Sequence, residues 1–239
     1  MRTRLRQYPW LSFLTLGAFI VLCGLCGWQL QRLQWKQGQI AQMNEALSAP
    51  PILAKNGIDL QSLPEFRQVK VTGKLLHDQA LQVQARYYKG NLGFHLVTPL
   101  KLPDGTIIFI NRGWVPKDYK TNPKVKISRP EGTLNITGIM RKSEQPLYRF
   151  LPKNDPATGF WLWPDNAAWA QMAQAANPKA TVLPVVIQQT HDAKVDDGFP
   201  IAMESHFELR NDHLQYAFTW GSFAVILVVI YFIYTRPKP

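Results

Sequence analysis

The sequence predicts an α+β membrane protein in which two transmembrane helices flank one β-rich, mainly antiparallel extracytoplasmic domain. Three observations carry this reading. Trp10 to Leu30 and Tyr216 to Tyr234 contain no charge, and a helix of either length covers a hydrocarbon layer of roughly 30 Å at about 1.5 Å per residue. No comparable uncharged run lies between them, so the central mass belongs in water. That central segment alternates apolar and polar residues as strands do. The bulk composition, 46% hydrophobic and 18% charged over 239 residues, would suit a soluble protein, so the placement of the apolar residues decides, not their number.

Amphipathic rings rim both spans. Tyr8, Trp10 and Trp28 bracket the first, and Tyr216, Trp220, Tyr231 and Tyr234 lie at or near the ends of the second. Arg2, Arg4 and Arg6 before an apolar run also suit a cleaved signal peptide. Against that, the run exceeds a usual signal core, no small-residue cleavage site follows it closely, and Arg32 and Lys36 read as a stop. The tails carry Arg2, Arg4, Arg6, Arg236 and Lys238 and no acid, which places them on the cytoplasmic side. The expected organisation is therefore a cytoplasmic tail (1–9), a first span (10–30), a periplasmic domain (31–212), a second span (213–234) and a cytoplasmic tail (235–239). This is a multi-pass topology in a bacterial inner membrane.

After the first span, good helix formers continue to about Leu47, where Pro50 and Pro51 stop the helix. Extended segments follow from Phe66: FRQVKVTGKLL, ALQVQARYY, LGFHLVTPLKL, TIIFINRGWVP and TLNITGIMRK. Their separating breaks predict an antiparallel meander, with Pro103 to Gly105 the clearest hairpin turn. Asp165 can cap a short helix, NAAWAQMAQAA, that ends at Asn177-Pro178. Strands LPVVIQQ and SHFELR come next, the last leading into the second span.

The formal charge of +11 does not point to nucleic acid. Five of the 27 basic residues sit in the tails and none of the 16 acids does, which leaves +6 for the rest. An extracytoplasmic domain with that excess meets membrane lipid and acidic partner surfaces instead. Both cysteines, Cys23 and Cys26, lie in the first span, so the domain has no disulfide and relies on its own core. Cys-Gly-Leu-Cys-Gly lacks the histidine of a c-type haem attachment site. Small residues here, with Gly17, Gly24 and Gly27, are expected to pack against the second helix.

Enzyme motifs do not emerge. No histidine pairs at helical spacing with another ligand, and neither a glycine-rich phosphate loop nor GxSxG occurs. The densest polar-aromatic cluster is LRNDHLQYAFTW, Leu209 to Trp220. At helical spacing Arg210, His213, Tyr216 and Trp220 fall near one face. Neutral imidazole ligates haem iron, an arginine neutralises a propionate, and rings stack on a macrocycle. An aromatic belt with a snorkelling arginine and a bystander histidine accounts for the same residues. The first helix exits with Trp28, Gln29, Arg32, Trp35 and Lys36, and two such faces could meet as a basic, aromatic cleft. In INRGWVP, Gly113 and Trp114 read as a tight turn ending a strand with a buried indole, while Arg112 could face a partner or a propionate. Trp161 and Trp163 alternate as a strand requires.

Five motifs in order, GWQLQRLQWK, FRQVKVTGKL, INRGWVP, NDPATGFWLWPD and LRNDHLQYAFTW, resemble the Surfeit-locus protein 1 family of cytochrome oxidase assembly factors from end to end. The resemblance implies no catalytic turnover. It implies a role in building haem-copper cytochrome c oxidase, with haem a received from its synthesis enzymes, held transiently and placed in subunit I. His213 matches the family's proposed haem ligand, and Arg210 and Trp220 match too. The expected cofactor-binding set is thus His213, Arg210, Tyr216, Trp220, Arg32 and Trp28, with His213 on the metal. The family's glycine-rich approach is reduced here to GFPIAMESHFE, which brings His206 in as a second candidate ligand. A cofactor-free scaffold for an oxidase intermediate is the competing reading, and a membrane-tethered enzyme a third.

Overall fold

The computed structural model describes residues 9–54, 59–142, 152–190, 198–202 and 211–236. They divide into two compact units: a helical one from Met1–Met43 and Glu208–Pro239, and a domain from Asn44–Phe207. In chain order the elements are α1 (Pro9–Ser48), β1 (Ile52–Leu53), β2 (Gln68–Leu75), β3 (Leu81–Tyr88), β4 (Asn91–Lys101), β5 (Ile107–Pro116), β6 (Leu134–Arg141), α2 (Asn166–Ala176), β7 (Val182–Gln189) and α3 (His213–Tyr234). The expected strand SHFELR, with His206 and Arg210, lies outside the described residues, as do His191 and the tail residues Arg2, Arg4, Arg6 and Lys238.

Within the helical unit, α1 and α3 are each long and apolar enough to cross a membrane. They pair antiparallel. Ser12 Oγ lies 2.7 Å from the Tyr231 hydroxyl, and 17 to 18 residues further along both helices Gln29 meets His213. Between these ties, Ala217 and Ala224 are buried, and a Cβ on Gly221 would sit 3.7 Å from Cys26 Sγ. Small side chains let helices approach closely. On α3 these are Ala217, Gly221 and Ala224, and from α1 Cys26 meets them as expected. Gly17, Gly24 and Gly27 have open space where a Cβ would go, and Cys23 is exposed, so the expectation that they form the contact is corrected.

The domain is a seven-stranded mixed sheet, β1-β2-β6-β7-β5-β4-β3, in which β2 also pairs with β4. That extra pairing, Lys74 with Lys101 and Leu75 with Leu100, closes β2, β6, β7, β5 and β4 into a barrel and leaves β1 and β3 outside the ring. Closure pairs the facing edges of β2 and β4, so that the sheet's remaining edges belong to the two-residue β1 and to β3. Only β3–β4–β5 form the expected meander. The rest departs from it because α2 carries the chain across, so β7 enters parallel to β5 and antiparallel to β6.

Strand β5 shows why the core reads as an unbroken apolar run. Ile108 and Ile110 face one core with Val71, Leu100 and Ile187. Phe109 faces the other, where Trp169 of α2 and Trp161 cover the sheet. A strand covered on both sides has no polar face to alternate with. Asp165 caps α2 as expected, accepting from Ala168 N at 3.0 Å. Trp161 is fully buried, whereas Trp163 stands in a bend beyond the bridge at Trp161, so the two do not share a strand.

Arg112-Gly113-Trp114 do not end a strand with a tight turn, for β5 runs on to Pro116. Leu96 pairs with Gly113 and Val97 with Asn111, so Arg112 is the extra residue of a β-bulge inside β5. Arg112 is turned into the interior, 3% exposed, and donates from Nη2 to the Ser128 carbonyl at 2.8 Å. It is not presented to a partner or a propionate. Gly113 takes φ +118°, and a Cβ there would collide with the Ile201 carbonyl, because Trp114 and Ile201 exchange two backbone hydrogen bonds of 2.8 Å. The Trp114 indole is buried as expected and donates to the Arg86 carbonyl at 3.1 Å.

Gly113→Ala should therefore destabilise the domain by about 2–4 kcal/mol. Gly105→Ala, at a hairpin glycine with φ +88° and open space around it, should cost about 1 kcal/mol. Urea midpoints followed by tryptophan fluorescence on the full chain check this, and equal losses would contradict it.

His95 adds a pH dependence. Burial and the neighbouring Arg86 guanidinium lower its pKa to about 4, and Asn111 Nδ2 donates to its Nδ1 at 3.3 Å. The unfolded chain binds the proton first, so stability is complete above about pH 6.5 and falls as pH drops towards 4. The loss is on the order of 3 kcal/mol. In His95→Gln the urea midpoint should lose most of its slope between these pH values.

Candidate site at the paired helices

A helix in lipid satisfies its own backbone, so an apolar sequence suffices to form α3, and the few polar side chains on it need partners from a neighbour. His213 is the first residue of α3, where the Tyr216 N–H reaches back to the Asp212 carbonyl at 3.2 Å. At about 100° per residue, Ala217, Trp220, Ala224 and Tyr231 follow it on one face. That face meets α1. Gln29, 8% exposed, places Oε1 2.7 Å from His213 Nδ1.

With the carboxamide oxygen as acceptor, the proton resides on Nδ1 and the Nε2 lone pair is left for a ligand. Metal-binding histidines use this arrangement: one ring nitrogen donates to a carbonyl oxygen, and the other coordinates.

The other expected residues distribute unevenly. Trp220 stays near the His213 face, edge-on to Phe223 with centroids 6.1 Å apart. Tyr216 does not share it; it is 54% exposed. Trp28 is 49% exposed, one residue out of phase with Gln29. Arg32 lies one turn beyond Gln29 with its Cζ 5.1 Å from the centre of the Trp35 ring. The cation and the tryptophans thus flank the contact instead of forming it, and Arg210 lies outside the described residues. Gln29, named in the sequence with the exit of the first helix but not in the expected binding set, is the residue that meets His213. Its signal was a carboxamide in an apolar span, which has no reason to be there unless it is paired.

Elsewhere, His77 Nε2 donates to the Pro130 carbonyl at 2.9 Å, and His95 is held as described above. Among the described residues no group of three or more His, Cys, Asp or Glu side chains could hold a metal ion. A bare ion needs such a set, whereas haem iron brings four ring nitrogens and asks the protein for one axial imidazole. The residues at this site fit that demand.

Comparison with known proteins places the chain. Residues 16–225 match the model of the SURF1 family. The chain is 34% identical to a SURF1-like protein of Monosiga brevicollis, covering 92% of this chain and 85% of that one. It is 30% identical to Surfeit locus protein 1 of Homo sapiens (96% and 79%) and 29% to a SURF1-like protein of Rickettsia felis (94% and 96%). With the match running through both helices and the whole domain between them, the chain belongs to the SURF1 family.

Proposed function

We propose that this chain is an assembly factor for haem-copper cytochrome c oxidase, one that holds haem a at His213 and aids its delivery to subunit I. It is a carrier and not an enzyme. The observation that supports this best is the Gln29–His213 contact at 2.7 Å, in which a buried glutamine holds a part-exposed ring by one nitrogen and leaves the other to a ligand. The positive N-terminal end of α3 and the Arg32 guanidinium provide for an anionic propionate. The exposed Trp28 and Tyr216 rings offer flat apolar surface to a macrocycle. When bound, haem a supplies the iron that accepts the Nε2 lone pair. His213 would hold the haem, Gln29 orient the imidazole and Arg32 neutralise a propionate.

In the same reading both spans lie in a bacterial inner membrane with the termini in the cytoplasm and the domain in the periplasm. The partners are the haem a synthesis enzymes, which supply the cargo, and subunit I, which takes it.

The test is the absorption spectrum of protein purified from cells that make haem a. Wild type should carry haem a, and His213→Ala should lose at least nine-tenths of it. No haem in the wild type, or an unchanged spectrum in the variant, overturns the proposal. If oxidase assembly also survives His213→Ala, a cofactor-free scaffold remains as the role of the large domain.

A further inference from the structure

We infer that Gln29 is a positioning residue that selects the proton placement of His213. The inference rests on the haem-binding reading for its purpose, but on geometry for its content. Both groups are amphiprotic, and the contact can be made in two ways. If Oε1 accepts, Nδ1 carries the proton and Nε2 is a free ligand. If the carboxamide turns over and its NH2 donates, Nδ1 is the acceptor and Nε2 carries the proton, which leaves no lone pair for a metal. The site is competent in one arrangement only.

The structure places the carboxamide oxygen on the ring, Oε1 to Nδ1 at 2.7 Å. An imidazole in water favours the opposite tautomer, with the proton on Nε2, so the helix contact has to reverse the intrinsic preference. Its setting favours that. Gln29 is buried at the end of the uncharged run of α1, and at a buried group a hydrogen bond is electrostatically stronger than in solution. The ring is also held in place, because Ala217 and Ala224 bring the His213 face of α3 close to its neighbour and the Ser12–Tyr231 tie fixes the register at the far end. Gln29 therefore acts through His213 and makes no claim on the iron itself.

The experiment uses the full chain in detergent micelles without haem, labelled with 15N-histidine, and identifies His213 as the resonance pair missing from His213→Ala. Wild type should show the Nδ1–H pattern. In Gln29→Leu the ratio of Nδ1–H to Nε2–H tautomers should fall roughly tenfold, while Gln29→Glu, whose carboxylate can only accept, should keep the wild-type pattern. An Nε2–H pattern in wild type, or an Nδ1–H pattern surviving in Gln29→Leu, overturns the inference. Should Gln29→Leu not fold, the wild-type and Gln29→Glu spectra still decide it.

A second arm measures haem a retained on purification, where Gln29→Leu should weaken binding about 10–100-fold and Gln29→Glu should restore it. Full retention in Gln29→Leu with loss in His213→Ala sinks the role of Gln29 and leaves the haem site standing. Full retention in both sinks the haem site, whatever the tautomer proves to be.

Discussion

A carboxamide and an imidazole facing each other across two apolar helices are the constraint from which the arrangement of α1 and α3 follows. Gln29 is buried, and leaving a buried polar group unpaired costs on the order of 1–3 kcal/mol. Lipid-exposed apolar side chains gain nothing by sliding past one another, so they do not set a register. The polar pair does, and the Ser12–Tyr231 hydrogen bond does so again at the other end. With two such ties and small residues between them, the antiparallel pairing has one favoured alignment.

The domain earns its stability differently. A barrel closed by the β2–β4 pairing buries β5 on both faces, and α2 with Trp161 and Trp169 covers the sheet outside the ring. Its titratable interior groups serve the fold: Arg112 fills a bulge against Ser128, His77 ties to Pro130 and His95 to Asn111. None of these makes a convergent ligand set. In the domain these groups serve stability, and the histidine paired across the helices stands apart from them.

The sequence revealed the helices, α2 with its Asp165 cap, and strands β2 to β7 within a few residues, because all are local signals of period, capping and turn chemistry, whereas the two-residue β1 carries no such signal. Strand order was not legible. Nothing in LPVVIQQ says that it will lie between β5 and β6, since parallel pairing after a crossover is decided by the packing of α2. Nor could the bulge at Arg112 be read, because one extra residue changes register without changing composition. In the site, His213 stood out by its chemistry and Gln29 did not. A polar residue near a basic helix exit looks like an interfacial one until the phase relation of two helices, 184 residues apart in sequence, shows that it faces inward.

That phase relation also bears on the plainer account of the same residues, an aromatic belt with a bystander histidine. A belt predicts rings at the rim and a polar histidine directed to water. The tryptophan and tyrosine rings do behave so: Trp28, Trp35 and Tyr216 are about half exposed or more. The imidazole does not, for it turns to a buried glutamine at 2.7 Å. A bystander would not need this contact, whereas a carboxamide buried at the helix seam needs a partner to replace the hydration it loses. Leucine at both positions would meet the demands of packing alone, so a polar pair kept between two apolar helices marks this contact as the place to look for function.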